Sequence, residues 1–289
     1  MMVVAALGSA RAEMTGVQPL AAGLPASTVT PASAVPAVIG PAPQRAKPAA
    51  LHSGTSALSP AAALCSAAPQ IARLDHPLLH TAQQLASGQP LTIVAIGSSS
   101  TAGARASSPA ATYPSRLAVE LKARFPGRVI TVLNRGINGE EAPNMMARFA
   151  TQVIAEHPQL VLWQLGTNSV LRGHPLQPHL LELHRGIEQL KQAGFDLVLI
   201  DPQYAPKVLA KPEAEGMVEQ IALAAKDENV DLFRRFAIMR DWYEKQHYAF
   251  GVFVSPDGVH MNDWGYACWA KLLAASIAAA ASPPVASAH

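Results

Sequence analysis

The stretch LTIVAIGSSSTAG, residues 91–103, joins a buried-strand pattern to a hydroxyl-rich turn. Residues 91–96 form a nearly continuous apolar run, which is typical of a strand covered on both faces of a parallel sheet. A glycine, three serines and a threonine follow at once. One interpretation is a Ser/Thr turn that begins a helix. The other is that one of these serines is a nucleophile placed at the end of a strand.

The same alternation of apolar runs and helical patterns continues along the chain. Strands are predicted at residues 91–96, 129–133, 160–165, 197–200 and 230–233, and helices at residues 114–124, 143–156, 178–193, 212–226 and 262–279. This order predicts an α/β fold: one three-layer, doubly wound domain with a parallel sheet of about five strands. Binding and catalytic sites of such sheets form beyond the carboxyl ends of the strands.

Composition divides the chain into four segments. Nine of the 24 prolines fall within residues 17–70, where Arg45 and Lys47 are the only Lys, Arg, Asp or Glu residues. Such a segment has too little apolar surface to offset the entropy of ordering it. We therefore predict a disordered Ala/Pro-rich linker at 13–70, the folded domain at 71–281 and a flexible tail at 282–289.

The first twelve residues and the two cysteines bear on localisation. Residues 1–12 contain a short apolar run that ends in Ala10-Arg11-Ala12, as in a truncated signal peptide, although no positive n-region precedes the run. We expect a periplasmic or secreted protein, or a cytoplasmic one if this segment is not a signal. In an oxidising compartment, Cys65 and Cys268 are candidates for a disulfide, the alternative being two unrelated thiols.

Several functional classes do not fit the sequence. The net charge is +2 and no Lys/Arg cluster is present, which argues against a nucleic-acid partner. No apolar run reaches the ~20 residues of a membrane span. The turn after residue 96 fits neither the dinucleotide-binding nor the P-loop glycine pattern. We therefore expect no nucleic-acid partner, no membrane span and no cofactor, and the sequence leaves the oligomeric state open.

Three later segments carry groups that a nucleophilic serine requires. NRGINGEE, residues 134–141, offers backbone N–H groups near Gly139, and GTNSVLRG, residues 166–173, offers the side-chain amide of Asn168. SPDGVHMND, residues 255–263, sets Asp257 and His260 three residues apart in a turn, a spacing that lets a carboxylate orient an imidazole. Taken singly, each segment also fits an ordinary turn or helix cap. Together they contain the parts of acyl-transfer chemistry.

The four segments, in this order, resemble the SGNH (GDSL-type) hydrolases, a family of esterases, lipases, thioesterases and carbohydrate deacetylases. The family's G-D-S-x-[ST] block is matched by residues 97–101, its second block by 134–139, its G-x-N-D block by 166–169 and its D-x-x-H block by 257–260. Ser98 and Ser169 stand where the family has Asp. The resemblance covers about residues 91–281 and implies a flavodoxin-like SGNH hydrolase fold.

The resemblance assigns a role to each matched residue. Ser99 is the implied nucleophile, His260 its base and Asp257 the group that orients His260. The N–H groups of Ser99 and Gly139 and the amide of Asn168 are the implied oxyanion donors. We therefore predict a serine esterase that cleaves carboxylic esters, short-chain or acetyl esters above all, on a small molecule or a carbohydrate. The alternatives are an O-acetyltransferase with the same triad and a non-catalytic carbohydrate-binding relative.

Candidates for substrate binding are less specific. Arg172 follows Asn168 closely and suits an anionic substrate or a surface ion pair. Tyr204 follows the fourth strand, and Phe253 precedes the Asp-x-x-His segment. Either ring suits a pocket wall or ordinary packing.

Three histidines recur at a regular interval. His174, His179 and His184 are five residues apart, a period that does not stay on one face of a helix. No cysteine or carboxylate cluster accompanies them in the sequence. We therefore predict no metal site.

Overall fold

The structure is a computed structural model that describes residues 64–282. It contains a five-stranded parallel sheet in the order β2-β1-β3-β4-β5. The strands are β1 (Leu91–Gly97), β2 (Ile130–Gly136), β3 (Leu160–Gln164), β4 (Asp196–Ile200) and β5 (Asp231–Phe233). The predicted α/β class and strand number are confirmed.

Twelve α-helices accompany the sheet within residues 64–282. They are α1 (Pro69–Ala72), α2 (Leu79–Ser87), α3 (Ser99–Ala102), α4 (Tyr113–Arg124), α5 (Ala142–Met146), α6 (Phe149–Gln152), α7 (Thr167–Arg172), α8 (Leu176–Gln192), α9 (Pro206–Leu209), α10 (Ala214–Asp227), α11 (Arg235–Glu244) and α12 (Asp263–Ala280). Short 3-10 helices lie at Pro109–Ala111, Ile154–Glu156 and Phe250–Val252. None of the described helices combines the length and apolarity of a membrane span.

The apolar runs of the sequence become the middle layer of the domain. Every residue of β3 is buried, and β1 is buried at every position except Thr92. Burial on both faces requires helices on both sides of the sheet. Helix α4 packs against α12, whereas α8 packs against α5 and α10. The core therefore lies between these two helical groups and the strands.

One predicted helix is interrupted. Residues 143–156 are predicted as a single helix, but the structure divides them among α5, α6 and the 3-10 helix Ile154–Glu156. At the first interruption, the nearly buried Arg148 turns back so that its Nη2 donates to the Glu140 carboxylate at 2.6 Å. The prediction of one helix is wrong here. It rests only on the helical spacing of apolar residues, which gives no sign of the ion pair between Glu140 and Arg148.

The domain begins earlier than composition predicts. Residues 64–70 belong to the predicted linker, but Leu64 N–H donates to the Tyr248 hydroxyl at 2.9 Å and Trp242 Nε1 donates to the Ser66 carbonyl at 2.8 Å. Cys65 forms a disulfide with Cys268 of α12. The linker boundary at residue 70 is therefore wrong. The predicted signal peptide and the parts of the predicted linker and tail at 13–63 and 283–289 lie outside the described residues.

Candidate active site

The register of the sheet gathers three of the predicted segments at one edge. Gly97, the last residue of β1, pairs with Gly136, the last residue of β2, and Ile96 pairs with Trp163 near the end of β3. The chain segments that follow these parallel strands therefore leave the sheet side by side. They carry the predicted nucleophile, the predicted backbone donor and the predicted amide donor.

The nucleophile turn depends on two close backbone approaches. A Cβ atom at Gly97 would lie 2.3 Å from Thr101 Oγ1, and a Cβ atom at Gly136 would lie 2.1 Å from the Ala102 backbone nitrogen. Both distances are shorter than side chains tolerate. Glycine at these two positions lets α3 lie directly against the ends of β1 and β2, with Ser99 as the first residue of the helix.

The buried Gln164 stabilises the turn that contains Ser98, and Ser98 stands at the position where the resembling family has an aspartate. Gln164 Oε1 accepts hydrogen bonds from Ser98 N at 3.0 Å, Ser98 Oγ at 3.1 Å and Thr101 Oγ1 at 3.2 Å. All three side chains are buried. The Ser98 hydroxyl therefore bonds within the protein, and the adjacent Ser99 hydroxyl is left to face the histidine.

Ser99, His260 and Asp257 form a hydrogen-bonded line. His260 Nε2 lies 2.8 Å from Ser99 Oγ, and His260 Nδ1 lies 2.7 Å from Asp257 Oδ2. With Nδ1 protonated toward the carboxylate, Nε2 is the acceptor for the serine proton. The structure thus brings together the three residues that the sequence predicts as catalytic.

The Asp257 carboxylate is held in its ionised form. Its Oδ1 accepts from Ser255 Oγ at 2.8 Å, from Val259 N at 2.9 Å and from His260 N at 2.9 Å. Burial by itself raises the pKa of this carboxyl, but the hydrogen bonds from the His260 ring, the two backbone N–H groups and Ser255 outweigh it. The pKa of Asp257 therefore lies far below its usual range.

An arginine from the nucleophile loop also contacts this carboxylate. Arg105 Nε donates to Asp257 Oδ2 at 2.9 Å, the same oxygen that faces the His260 ring. Arg105 adopts a left-handed backbone conformation, with φ of 69°, three residues after the end of α3. The contact links the Ser99 loop to the Asp257 turn, although the arginine side chain is largely exposed.

The predicted oxyanion donors lie in the segments that follow β1, β2 and β3. Asn168 lies in α7, and its Nδ2 donates to the Glu140 carbonyl at 2.8 Å, which fixes the amide beside the Gly139 loop. Gly139 has a φ of 80°, a conformation that favours glycine. Within residues 64–282, the N–H groups of Ser99 and Gly139 have no hydrogen-bond acceptor. Both are available to an oxygen that develops negative charge.

Comparison with known proteins agrees with this geometry. A model of the non-GDSL lipase-like family matches residues 64–283, more than half of the chain. The chain belongs to the non-GDSL lipase-like family. The predicted resemblance to SGNH-type hydrolases is confirmed at the level of family and fold.

Two sequence relatives and two solved structures illustrate the similarity of this lipase-like chain to known proteins. An arylesterase from Vibrio mimicus is 35% identical over 81 residues, which cover 28% of this chain and 40% of the relative. An acetylxylan esterase from Geobacillus stearothermophilus is 29% identical over 115 residues, which cover 40% of this chain and 48% of the relative. The aligned parts thus span less than half the length of each relative.

The solved structures show the fold. An acetylxylan esterase from Geobacillus stearothermophilus has a TM-score of 0.56 and 21% identity, covering 65% of this chain and 94% of the neighbour. A two-domain esterase active on acetylated mannans has a TM-score of 0.63 and 17% identity, covering 74% of this chain and 56% of the neighbour.

A second buried glutamine in this lipase-like domain connects two parts of the site. Gln203 Oε1 accepts from Thr167 Oγ1 at 2.8 Å and from Arg235 Nη2 at 2.9 Å, and its Nε2 donates to the Val259 carbonyl at 3.0 Å. Thr167 precedes Asn168, and Val259 precedes His260. Gln203 therefore ties the amide-bearing helix to the histidine turn.

The predicted substrate-binding residues do not form one pocket. Phe253 is fully buried and packs edge-on against Trp242, so of the two alternatives for this ring the structure has ordinary packing. Tyr204 is also buried, and its hydroxyl donates to Glu244 at 2.9 Å. For Tyr204 too, the structure has the packed ring and not a pocket wall. Sequence alone does not distinguish an aromatic ring of the core from one that lines a pocket.

Arg172 lies at the edge of the site and is paired. Its Nη1 donates to the Glu141 carboxylate, and its Nη2 donates to the Gly139 carbonyl at 2.8 Å. The side chain remains about half exposed. Of the two alternatives for Arg172, an ion pair and a site for an anionic substrate, the structure has the ion pair. The arginine also orients the Gly139 peptide.

The three regularly spaced histidines separate in the structure. His184 lies 2.9 Å from Glu228, whereas His174 and His179 converge on Glu141. Each of the three histidines therefore lies beside a carboxylate that the sequence does not indicate, and two of them share Glu141. Glu141 is missed because it lies more than thirty residues away in the chain.

Sequence reasoning also misses Gln164, Gln203 and Arg105. Each forms hydrogen bonds to a segment that carries a candidate catalytic residue and has no motif of its own. A signal does exist for Gln164, since it is a polar residue within an otherwise apolar strand. No comparable signal marks Gln203 or Arg105.

Proposed function

We propose that this protein is a serine esterase that hydrolyses carboxylic esters through an acyl-enzyme. The observation that carries the proposal is the line from Ser99 Oγ to His260 Nε2 at 2.8 Å and from His260 Nδ1 to Asp257 Oδ2 at 2.7 Å. Such a line supplies a nucleophile, a base and the group that orients the base. The esterases named among the sequence relatives support the same reaction class.

The proposed reaction proceeds in two halves. His260 Nε2 takes the Ser99 proton as Oγ attacks the ester carbonyl, and the oxyanion is held by the N–H groups of Ser99 and Gly139 and the Asn168 amide. His260 then protonates the leaving alkoxide, and the acyl group remains on Ser99. Water attacks this ester with His260 again as base, which releases the carboxylic acid. Asp257 stays ionised and stabilises the imidazolium throughout.

We further propose a short acyl group, acetyl above all, carried by a carbohydrate. The support comes from the relatives and structural neighbours, which include an acetylxylan esterase and a two-domain esterase active on acetylated mannans. In the structure, the described aromatic rings that we considered as walls of a long acyl pocket, Tyr204 and Phe253, are buried in the core. A large apolar acyl pocket therefore gains no support from these residues.

A hydrolysis panel tests both levels of the proposal. The substrates are p-nitrophenyl esters of two, four and eight carbons, acetylated xylan and acetylated mannan, with Ser99→Ala as control. We expect the highest kcat/KM on the acetyl ester and release of acetate from at least one polysaccharide. No turnover of any ester contradicts the esterase proposal, and a preference for eight carbons contradicts the acetyl assignment. Mass spectrometry with added xylo-oligosaccharide detects acetyl transfer if that reaction competes.

We also propose that the protein works in an oxidising compartment, periplasmic or extracellular. The support is the pairing of Cys65 with Cys268, which ties the start of the described domain to its last helix. Fractionation of the producing cells, followed by thiol alkylation and mass measurement, tests this. We expect the chain outside the cytoplasm with both cysteines protected from alkylation. A cytoplasmic chain with two alkylated thiols contradicts the proposal.

A further inference from the structure

Three potential metal ligands meet on the face that carries α5, α7 and α8. They are the carboxylate of Glu141, which is the N-cap of α5, the imidazole of His174 in the loop between α7 and α8, and the imidazole of His179 in α8. One ligand atom from each lies within 4.8 Å of the other two. None of these side chains takes part in the Ser99–His260–Asp257 line.

One ring nitrogen of His179, Nε2, is buried and forms no hydrogen bond within residues 64–282. On the other side of the ring, Nδ1 lies 3.3 Å from Glu182 Oε2, one helical turn further along α8. Histidines that bind a metal through one ring nitrogen often have a carboxylate beside the other nitrogen, because the carboxylate fixes the orientation of the ring.

Both carboxylate oxygens of Glu141 are held by hydrogen bonds, and Oε2 also faces His174. Its Oε1 accepts from Arg172, and its Oε2 lies 2.9 Å from His174 Nδ1 and accepts from Ser169 Oγ at 2.7 Å. A carboxylate oxygen has more than one lone pair, so Oε2 is able to bind a cation while Oε1 keeps its arginine. The carboxylate side chain is mostly buried, which limits its rotation.

From this arrangement we propose that Glu141, His174 and His179 bind a divalent transition-metal ion of the Zn²⁺ type. Two imidazoles and one carboxylate form a donor set that suits Zn²⁺ and does not suit Mg²⁺ or Ca²⁺, which prefer oxygen ligands. Tetrahedral Zn²⁺ sets its ligand atoms about 3.4 Å apart. The ligand atoms lie within 4.8 Å of one another, so the three side chains must close in on a bound ion. Three protein ligands leave a fourth tetrahedral position for water.

The site connects two segments that carry the oxyanion donors. Glu141 follows Glu140, whose carbonyl holds the Asn168 amide, and His174 follows the last residue of α7, the helix that carries Asn168, by two positions. An ion bound at this site therefore crosslinks the start of α5 to the loop after α7 and to α8. The bound ion stabilises the folded chain by an amount that rises with the logarithm of the ratio of free ion to Kd, since the unfolded chain lacks the assembled ligands.

The test is direct metal binding by the untagged full chain after treatment with a chelator. Isothermal titration with ZnCl₂ and the shift of Tm with added Zn²⁺ are measured for the wild type, His174→Ala, His179→Ala and the matched control His184→Ala. His184 shares α8 with His179 but faces Glu228. We expect one Zn²⁺ per chain, a raised Tm, loss of both effects in the first two variants and no change in the control. MgCl₂ should give no response.

Two outcomes overturn the proposal: no stoichiometric Zn²⁺ binding by the wild type, or binding that His184→Ala weakens as much as His179→Ala does. If His179→Ala fails to fold, anomalous diffraction from wild-type crystals soaked in Zn²⁺ shows whether the ion binds between the three side chains. A peak between the three side chains supports the site, and a peak elsewhere or none contradicts it. The outcome is independent of esterase activity, because binding is measured without substrate.

Discussion

His260 Nε2 lies 2.8 Å from Ser99 Oγ, although 161 residues separate them in the chain. Ser99 is placed by β1 and α3, and His260 by the turn before α12. No local element holds the pair together. Its geometry therefore depends on the parallel sheet and on the hydrogen bonds that fix each of the two loops.

The first prediction concerns which of the three adjacent serines is the nucleophile. Ser99→Ala should lower kcat on p-nitrophenyl acetate by about 10⁴ to 10⁶ because the attacking oxygen is lost. Ser98→Ala removes one hydrogen bond to Gln164 but keeps the backbone bond. Ser100→Ala removes a buried hydroxyl other than the one that faces His260, so both variants should retain turnover. The measurement is steady-state kinetics, with labelling by a fluorophosphonate probe. An inactive Ser98→Ala beside an active Ser99→Ala would shift the nucleophile by one residue.

The second prediction concerns the side-chain donor of the oxyanion site. Asn168→Ala should lower kcat by about 10² to 10³, because the amide is lost while the nucleophile and base remain. KM should change little if the amide acts mainly in the transition state. The variant should still react with a fluorophosphonate, but more slowly than the wild type. A variant with wild-type kcat would remove Asn168 from the mechanism.

The catalytic residues that sequence analysis identifies lie in short local patterns. Asp257 and His260 are three residues apart on one turn, and Ser99 follows the end of β1 by two residues, so each leaves a recognisable pattern. The five strands are recognisable for a related reason, since burial on both faces demands continuous apolar runs.

What the sequence does not reveal depends on contacts between distant residues. Gln203 has no motif, and its importance comes from Thr167 and Val259, which only the fold brings together. The same holds for the start of the domain, where an Ala/Pro-rich composition hides the contact of Leu64 with Tyr248. The role of Phe253 stays open in the sequence because the core and pocket walls share the same apolar side chains.

The third prediction tests Gln203 as a positioning residue. Gln203→Met keeps the volume but removes the bonds to Thr167, Arg235 and the Val259 carbonyl. We expect kcat to fall by about tenfold with little change in KM, because both the amide and the histidine lose their alignment. The free energy of unfolding should fall by about 1–3 kcal/mol, since Arg235 loses a buried acceptor.

A surface glutamine serves as the matched control for that variant. Gln192→Met lies on the exposed end of α8 and should change neither kcat nor the free energy of unfolding by a measurable amount. Gln203→Met that loses stability but keeps the wild-type kcat would show that the residue is structural only.

The fourth prediction concerns the disulfide. Its loop encloses 203 positions of sequence, so the bond restricts the unfolded chain strongly. Replacing both Cys65 and Cys268 by Ser should lower the free energy of unfolding by about 2–5 kcal/mol, as measured by urea denaturation. Treating the wild type with a thiol reductant should have the same effect. The reductant should not affect the double variant, and a loss of stability there would point to a cause other than the disulfide.

The fifth prediction is a pH dependence that originates at Asp257. The pKa of this carboxyl is lower in the folded state than in the unfolded chain, where it is about 4. Its hydrogen bonds therefore contribute fully to stability at pH values above about 4. That contribution is lost as the pH falls from about 4 toward the pKa of Asp257 in the folded state, because the carboxyl takes up its proton in the unfolded chain first. Asp257→Asn should therefore be less stable than the wild type at pH 7, and the difference should shrink below about pH 4.

Urea denaturation at pH 7, 5 and 3 measures this difference, and steady-state kinetics at pH 7 supplies the second readout. There kcat of Asp257→Asn should fall by about 10⁴, because an amide does not hold the imidazole in the tautomer that accepts the serine proton. The Arg105 guanidinium would then face the uncharged amide and lose its ion pair. A stability difference that is the same at all three pH values would show that the Asp257 carboxylate is not the group whose ionisation is linked to folding.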